Sequence, residues 1–106
     1  MNNLHYGDFL SHLNSRFQMT AEDGSTHELE LVQVTENSPS PRQEQFVLQF
    51  RAPLTAPSSQ SIYELQHEQL GSGSIFLVPV NRKAEGLFYE AVFNRPIERP
   101  IEERKA

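Results

Sequence analysis

Apolar residues near the start of the chain recur at helical spacing. In NLHYGDFLSHLN, Tyr6, Phe9, Leu10 and Leu13 stand at i, i+3, i+4 and i+7, one face of a short helix. Asp8 is placed to cap that helix and Asn14 to end it. An element this short needs a surface to dock on. From Arg16 the period becomes two. RFQMT puts Phe17 and Met19 on one side, and EDGS reads as a tight turn around Asp23-Gly24. HELELVQVTE opposes Leu29 and Leu31 to Glu28 and Glu30, then changes phase at Val32 and Val34. A bulge near Leu31–Val32, or a strand end covered on both faces, explains the change.

The same alternation runs to Asn94. ENSPSPRQEQ and PLTAPSSQ are loops by composition. Between and after them, FVLQFRA aligns Phe46, Leu48 and Phe50, SIYELQH aligns Tyr63, Leu65 and His67, and LFYEAVF aligns Leu87, Tyr89, Ala91 and Phe93. IFLVPV is apolar at every position, which predicts a strand covered on both faces. Pro79 cannot donate to a ladder, so it marks an edge or a bulge. The expected fold is mainly β: about six antiparallel strands forming a barrel or a sandwich, with one short N-terminal helix. The helix can plug a barrel end or cover the second face of Ile75–Val80. The expected boundaries are one β-rich domain over 1–94 and an extended Pro-containing tail over 95–106. The tail repeats Arg-Pro-Ile-Glu at 95–98 and 99–102. Its Ile97 and Ile101 are candidates for docking on the domain or on a neighbouring subunit.

Composition narrows the chemistry. The chain has 106 residues, one domain's worth, with 37% hydrophobic and 22% charged residues. The lack of cysteine removes disulfides, thiolate metal sites and thiol nucleophiles together, and fits a cytoplasmic protein. The net charge is −5, whereas a nucleic-acid surface needs a basic face to replace counterions. Nucleic acid is therefore not an expected partner. MNNLHYGDF lacks a basic region followed by an apolar one, so no signal peptide is expected. Ile75–Val80 is far shorter than the ~20 apolar residues of a membrane helix, so no membrane partner is expected either.

Candidate sites are few. LGSGS before IFLVPV invites comparison with a phosphate-binding loop. A P-loop, however, needs a Lys and a following helix, and a dinucleotide fingerprint needs a third glycine opening a helix. LGSGS leads into a strand, so it is read as a hairpin loop whose glycines supply positive φ. His5 and His12 are seven apart, about 10 Å along a helix axis, too far to share a metal readily. His27 is expected to be exposed at a strand start. His67 lies between Glu64 and Glu68 near the glycine loop; it is either a strand-end residue that satisfies a loop carbonyl or a ligand or base. Asp8 and Asp23 look like cap and turn residues. Glu28 and Glu30 share one strand face, as on any solvated face. No G-x-S-x-G elbow or H-E-x-x-H is present.

Residues 62–94, IYELQHEQLGSGSIFLVPVNRKAEGLFYEAVFN, carry a resemblance. The stretch is similar to a family of small bacterial proteins known as a domain of unknown function. The matching pattern is Y-x-L-x-H, then Leu-Gly, then F-L-V-P-V, then Y-E-A-x-F-N. Tyr63, Leu65, His67, Leu70, Gly71, Phe76 to Val80, Tyr89 to Ala91, Phe93 and Asn94 fit it. FLSHLNSRFQM and LELVQV resemble its first half more loosely, and the Arg-Pro-Ile-Glu tail lies outside it. The resemblance implies no activity. It implies an assembly or accessory role associated with tail-fibre or tail-collar-like proteins. Most matching residues read as structure: Gly71 in a turn, Tyr89 and Phe93 in a core row, Asn94 closing the last strand on its own backbone. His67 and Glu90 are the polar members that packing explains least.

The expected function is a non-enzymatic protein-interaction or assembly-accessory module, binding a protein partner or itself. His67, Glu90, Ile97 and Ile101 are its candidate contact residues. No catalytic residue, cofactor or metal is expected. The alternative is a small-ligand-binding barrel, which requires an enclosed apolar pocket of roughly 300 Å³ or more. A third reading, an enzyme, would pair His67 with Glu64, Glu68 or Glu90.

Overall fold

The protein is described by a computed structural model covering Met1 and residues 3–96. Its elements are α1 (Tyr6–Leu10), β1 (Arg16–Thr20), β2 (Thr26–Glu36), β3 (Gln43–Ala52), β4 (Ser61–His67), β5 (Gly71–Lys83) and β6 (Gly86–Pro96). The six strands close into an antiparallel barrel in the order β1-β2-β3-β6-β5-β4. Closure is made by β1 against β4, with Met19 opposite Leu65. The longest ladder joins β3 to β6, from Gln43↔Pro96 to Ala52↔Leu87.

The period-two rows define the interior. Phe17, Met19, Leu29, Leu31, Phe46 and Phe50 are almost completely buried, as are Leu48, Leu65, Leu77 and Tyr89. Rings fill the centre: Phe17 meets Phe50 edge-on at 5.2 Å, and Phe46 stacks on Phe93 at 4.7 Å. A barrel of this size is filled by its own side chains. The phase change in β2 is a bulge, because the register shifts between Leu31 and Gln33. Pro79 likewise sits at a shift between Pro79 and Asn81.

Four expectations need correction. The first helix is a single turn and a half, and Leu10 and Leu13 of its supposed buried face are exposed. Asn14, at φ 69°, bends the chain into β1 before the helix can lengthen. IFLVPV is covered on one face only, with Phe76 51% exposed, because α1 plugs the barrel end and never reaches that strand. LGSGS is not all loop, since β5 begins at Gly71 and Gly73 pairs with Leu65 within the ladder; only Gly71 has positive φ. Asn94 does not close the last strand on its own backbone: it pairs with Gln45 inside the β3–β6 ladder, which runs on to Pro96, and its side chain accepts from Gln43 Nε2 at 2.6 Å. The Arg-Pro-Ile-Glu tail beyond Pro96, with Ile97 and Ile101, lies outside the described residues.

Each end of the barrel is shut by the chain itself. At one end Phe9 projects from α1 against the stacked Phe46 and Phe93 rings, at 5.8 and 5.6 Å. At the other the 53–60 loop folds over, with Ala56 buried. Tyr63 donates its hydroxyl to Ser59 O at 2.6 Å, and Tyr89 donates to Pro57 O. Burial, and then the neighbouring Tyr63, push the Tyr89 hydroxyl up to about 12, so it keeps this donor proton.

Gly86, which opens β6, is held at φ 156°, and a Cβ there would lie 2.5 Å from Ala52 O. Gly24 in the β1–β2 turn has φ 87° but open space around it. Gly86→Ala is therefore expected to destabilise the fold by more than the ~1–3 kcal/mol of backbone strain alone. Gly24→Ala should cost only about that strain. Urea denaturation of the two variants compares them directly, and equal costs would contradict the contact at Ala52.

Candidate functional site

Two polar side chains, Glu44 and His67, are buried among the described residues. Both face the end closed by residues 4–15. Glu44 falls on an inward position of β3, next to Phe46 in the same row. Its carboxylate accepts from His5 Nδ1 at 2.9 Å, from the Tyr6 amide at 2.9 Å and from Arg95 Nε at 3.2 Å. Burial raises its pKa, but the Tyr6 amide, His5 and Arg95 together outweigh burial and hold it below the ordinary value. The Arg95 guanidinium also lies over Phe46 and Phe93, at 5.8 and 5.6 Å. Glu44 was hidden in the sequence because QEQ reads as loop, and the ladder in fact starts at Gln43.

His67 ends the inward row of β4. Its Nδ1 accepts from the amides of Gln69 and Leu70, at 3.0 and 3.1 Å. It thus satisfies loop amides rather than a loop carbonyl. In the neutral ring Nε2 must then carry the proton, and it donates to Ser15 Oγ at 2.9 Å. Ser15 sends its own proton to the His12 carbonyl. The ring packs on Phe17 at 4.5 Å and meets His12 edge-on at 5.1 Å. Burial, then His12, lower its pKa, while Glu68 opposes them. Ser15 beside a histidine looks like a nucleophile and its base, but the polarity is reversed. The histidine donates to the serine and has no lone pair free to take its proton. No carboxylate among the described residues bonds to the ring.

The other candidates scatter. Glu90 lies on the outward face of β6, opposite Val78 on the last rung of the β5–β6 ladder, and does not meet His67. His5 and His12 serve separate partners: Glu44 for one, Gln69 and the Asp8 carbonyl for the other. His27 is half-buried and bonds Ser25 Oγ at 3.0 Å. Glu28 pairs with Arg16 and Glu30 with Arg51 on the outer wall. Among the described residues no group of three or more His, Asp or Glu is arranged to hold a metal. No helix there is long and apolar enough to cross a membrane.

The outer wall carries a feature that the sequence did not single out. Ile62 and Phe76 are directly paired across β4 and β5 and point outward, 68% and 51% exposed. Val92 on β6 is 64% exposed on the same outer wall. The β5–β6 ladder stops at Val78↔Glu90, although both strands continue past it. A groove of about 380 Å³ opens there, with Phe76 on one side and Val92 on the other.

Glu44→Gln should cost about 1.5–3 kcal/mol, the worth of hydrogen bonds to a charged acceptor. Because the folded-state pKa is depressed, Glu44 stabilises the fold above its unfolded value of about 4.3 and loses that contribution as pH falls below it. In urea melts across this range the wild type should lose stability faster than Glu44→Gln, and parallel curves would contradict the assignment.

No curated protein and no solved structure matches the chain. A family model matches residues 4–93, which run from α1 into β6 and include both buried polar groups but not Arg95. By that match the chain belongs to the family described as a domain of unknown function, DUF6916.

Proposed function

We propose that the protein is a non-enzymatic protein-interaction or assembly-accessory module that docks a partner through the Ile62–Phe76–Val92 row. The observation that carries this reading is the exposure of three large apolar side chains around one groove. Scattered exposed apolar residues are ordinary, but a contiguous set beside an interrupted ladder marks an interaction surface. The packed interior favours this reading over the small-ligand barrel, since aromatic and aliphatic side chains occupy the space a ligand would need. The reversed Ser15–His67 polarity weighs against hydrolytic use of that pair.

Charge selects the partner's chemistry. Glu64 and Glu90 lie on the outward faces beside the row, and the chain as a whole carries −5. A second copy would bring like charges together. The complementary surface presents an aliphatic or aromatic side chain flanked by Lys or Arg. The narrower association with tail-fibre or tail-collar-like proteins rests on the family resemblance.

Amide NMR with two probe peptides tests this reading, one alternating Ile with Lys and the other Ile with Glu. The Lys peptide should perturb the Phe76 and Val92 amides, with an affinity that falls as salt is added. Phe76→Ser should weaken it roughly tenfold, the worth of one well-buried aromatic contact. Equal responses to both peptides, or none to either, would overturn the proposal. A dimer in light scattering that Phe76→Ser dissociates would reassign the row to a second copy.

A further inference from the structure

The two buried polar side chains of the barrel both hold the same piece of chain. Each holds it in a protonation state that acid removes. We propose that residues 4–15 form an acid-released latch, which leaves the barrel end before the barrel itself opens. This inference does not depend on the docking row.

His67 is the first anchor. Its Nδ1 faces two amide donors from the β4–β5 turn, so a second proton on the ring would set donor against donor. Relieving that conflict means breaking the turn at Gln69 and Leu70. Gln69 is also the residue whose side chain bonds His12 Nε2, at 2.9 Å. The His12 carbonyl accepts from Ser15, and Ser15 accepts from His67. One protonation therefore strains the whole chain of bonds from β4 to the end of the latch. The groups facing the ring are His12 from the latch, Phe17 from β1 and Glu68 from its own turn. His12 opposes protonation and Glu68 favours it.

Glu44 is the second anchor, on the opposite side of the same end. The groups facing it are His5 and the Tyr6 amide from the latch and Arg95 from β6. Protonation removes the charge that binds all three. The remaining contacts of the latch are chiefly Phe9 against Phe46 and Phe93, backbone bonds at its hinge, and the Leu4 amide on Met1 O, with the Met1 ammonium donating to Ser72 O at 3.1 Å. At that hinge Asn14 N donates to Leu31 O at 2.7 Å, and Leu31 N donates to Ser15 O at 3.1 Å. The barrel's own ladders use backbone groups that do not titrate. Both anchors have depressed pKa values, so attachment is complete at neutral pH and weakens as pH falls. His67 acts first, below the ordinary imidazole range, and Glu44 second, below the ordinary carboxylate range.

The test is residue-resolved amide protection on the full chain, from neutral pH down to about pH 4, with intrinsic exchange corrected. Protection at Asn14 should fall by up to roughly tenfold per pH unit below the first midpoint. Protection at Leu48 and Tyr89, which requires the barrel itself to open, should stay well above that at Asn14 over the same range. His67→Asn supplies an acceptor oxygen that does not titrate, and it should abolish the first step. If that variant does not fold, the imidazole nitrogen shifts of the wild type give the same information. Nδ1 should be bare at neutral pH and gain its proton at the midpoint where Asn14 loses protection. Equal protection at Asn14, Leu48 and Tyr89 throughout, the mark of a single shared opening, would overturn the latch. So would a first step that survives in His67→Asn, or His67 protonation with Asn14 still protected.

Discussion

A ring of six strands removes the sheet edges but leaves two open ends, and this constraint organises the rest of the molecule. The strands can bury one face against each other's side chains, yet nothing in a ladder covers the mouth of the cylinder. The chain covers both mouths with its own segments, by different chemistry. The 53–60 loop is held by two tyrosine hydroxyls that donate to backbone carbonyls. The N-terminal segment is held by a carboxylate, an imidazole and one phenylalanine. The first closure includes the Tyr89 hydroxyl, which keeps its proton throughout the ordinary pH range. The second uses groups that change state below neutrality.

Much of the barrel was legible because inward residues alternate with outward ones. Phe46, Leu48 and Phe50, then Leu87, Tyr89 and Ala91, are rows that only a strand can bury together. The phase change after Leu31 gave away the bulge for the same reason. Pro79 announced the second register shift, since its missing N–H cannot serve a ladder. Ring closure was less visible. β1 and β4 are short, and their pairing depends on residues more than forty positions apart.

The polar interior was read in part. His67 stood out because it continues the Tyr63–Leu65 row, but its partners did not. Ser15 comes from a turn, and the amides of Gln69 and Leu70 have no sequence signature. Glu44 was concealed by its neighbours Gln43 and Gln45, which look like loop. Its acceptor role appears only once Tyr6 and Arg95 are folded against it. The apolar row misled in the opposite direction. Phe76 within IFLVPV suggested burial on both faces, but hydrophobicity alone does not say whether a second layer exists to cover it.

The β1–β4 pairing also bears on how the protein reaches its native state. Residues 18–20 must find residues 64–66 across the whole span of β2 and β3. Little helix forms on the way to shorten that search, because α1 is a single short turn. Such non-local topology places the chain among slow folders, on the millisecond-to-second scale typical of small all-β domains. Until the ring shuts, β1 and β4 present bare edges, and this interval is when a crowded solution can divert the chain into aggregates.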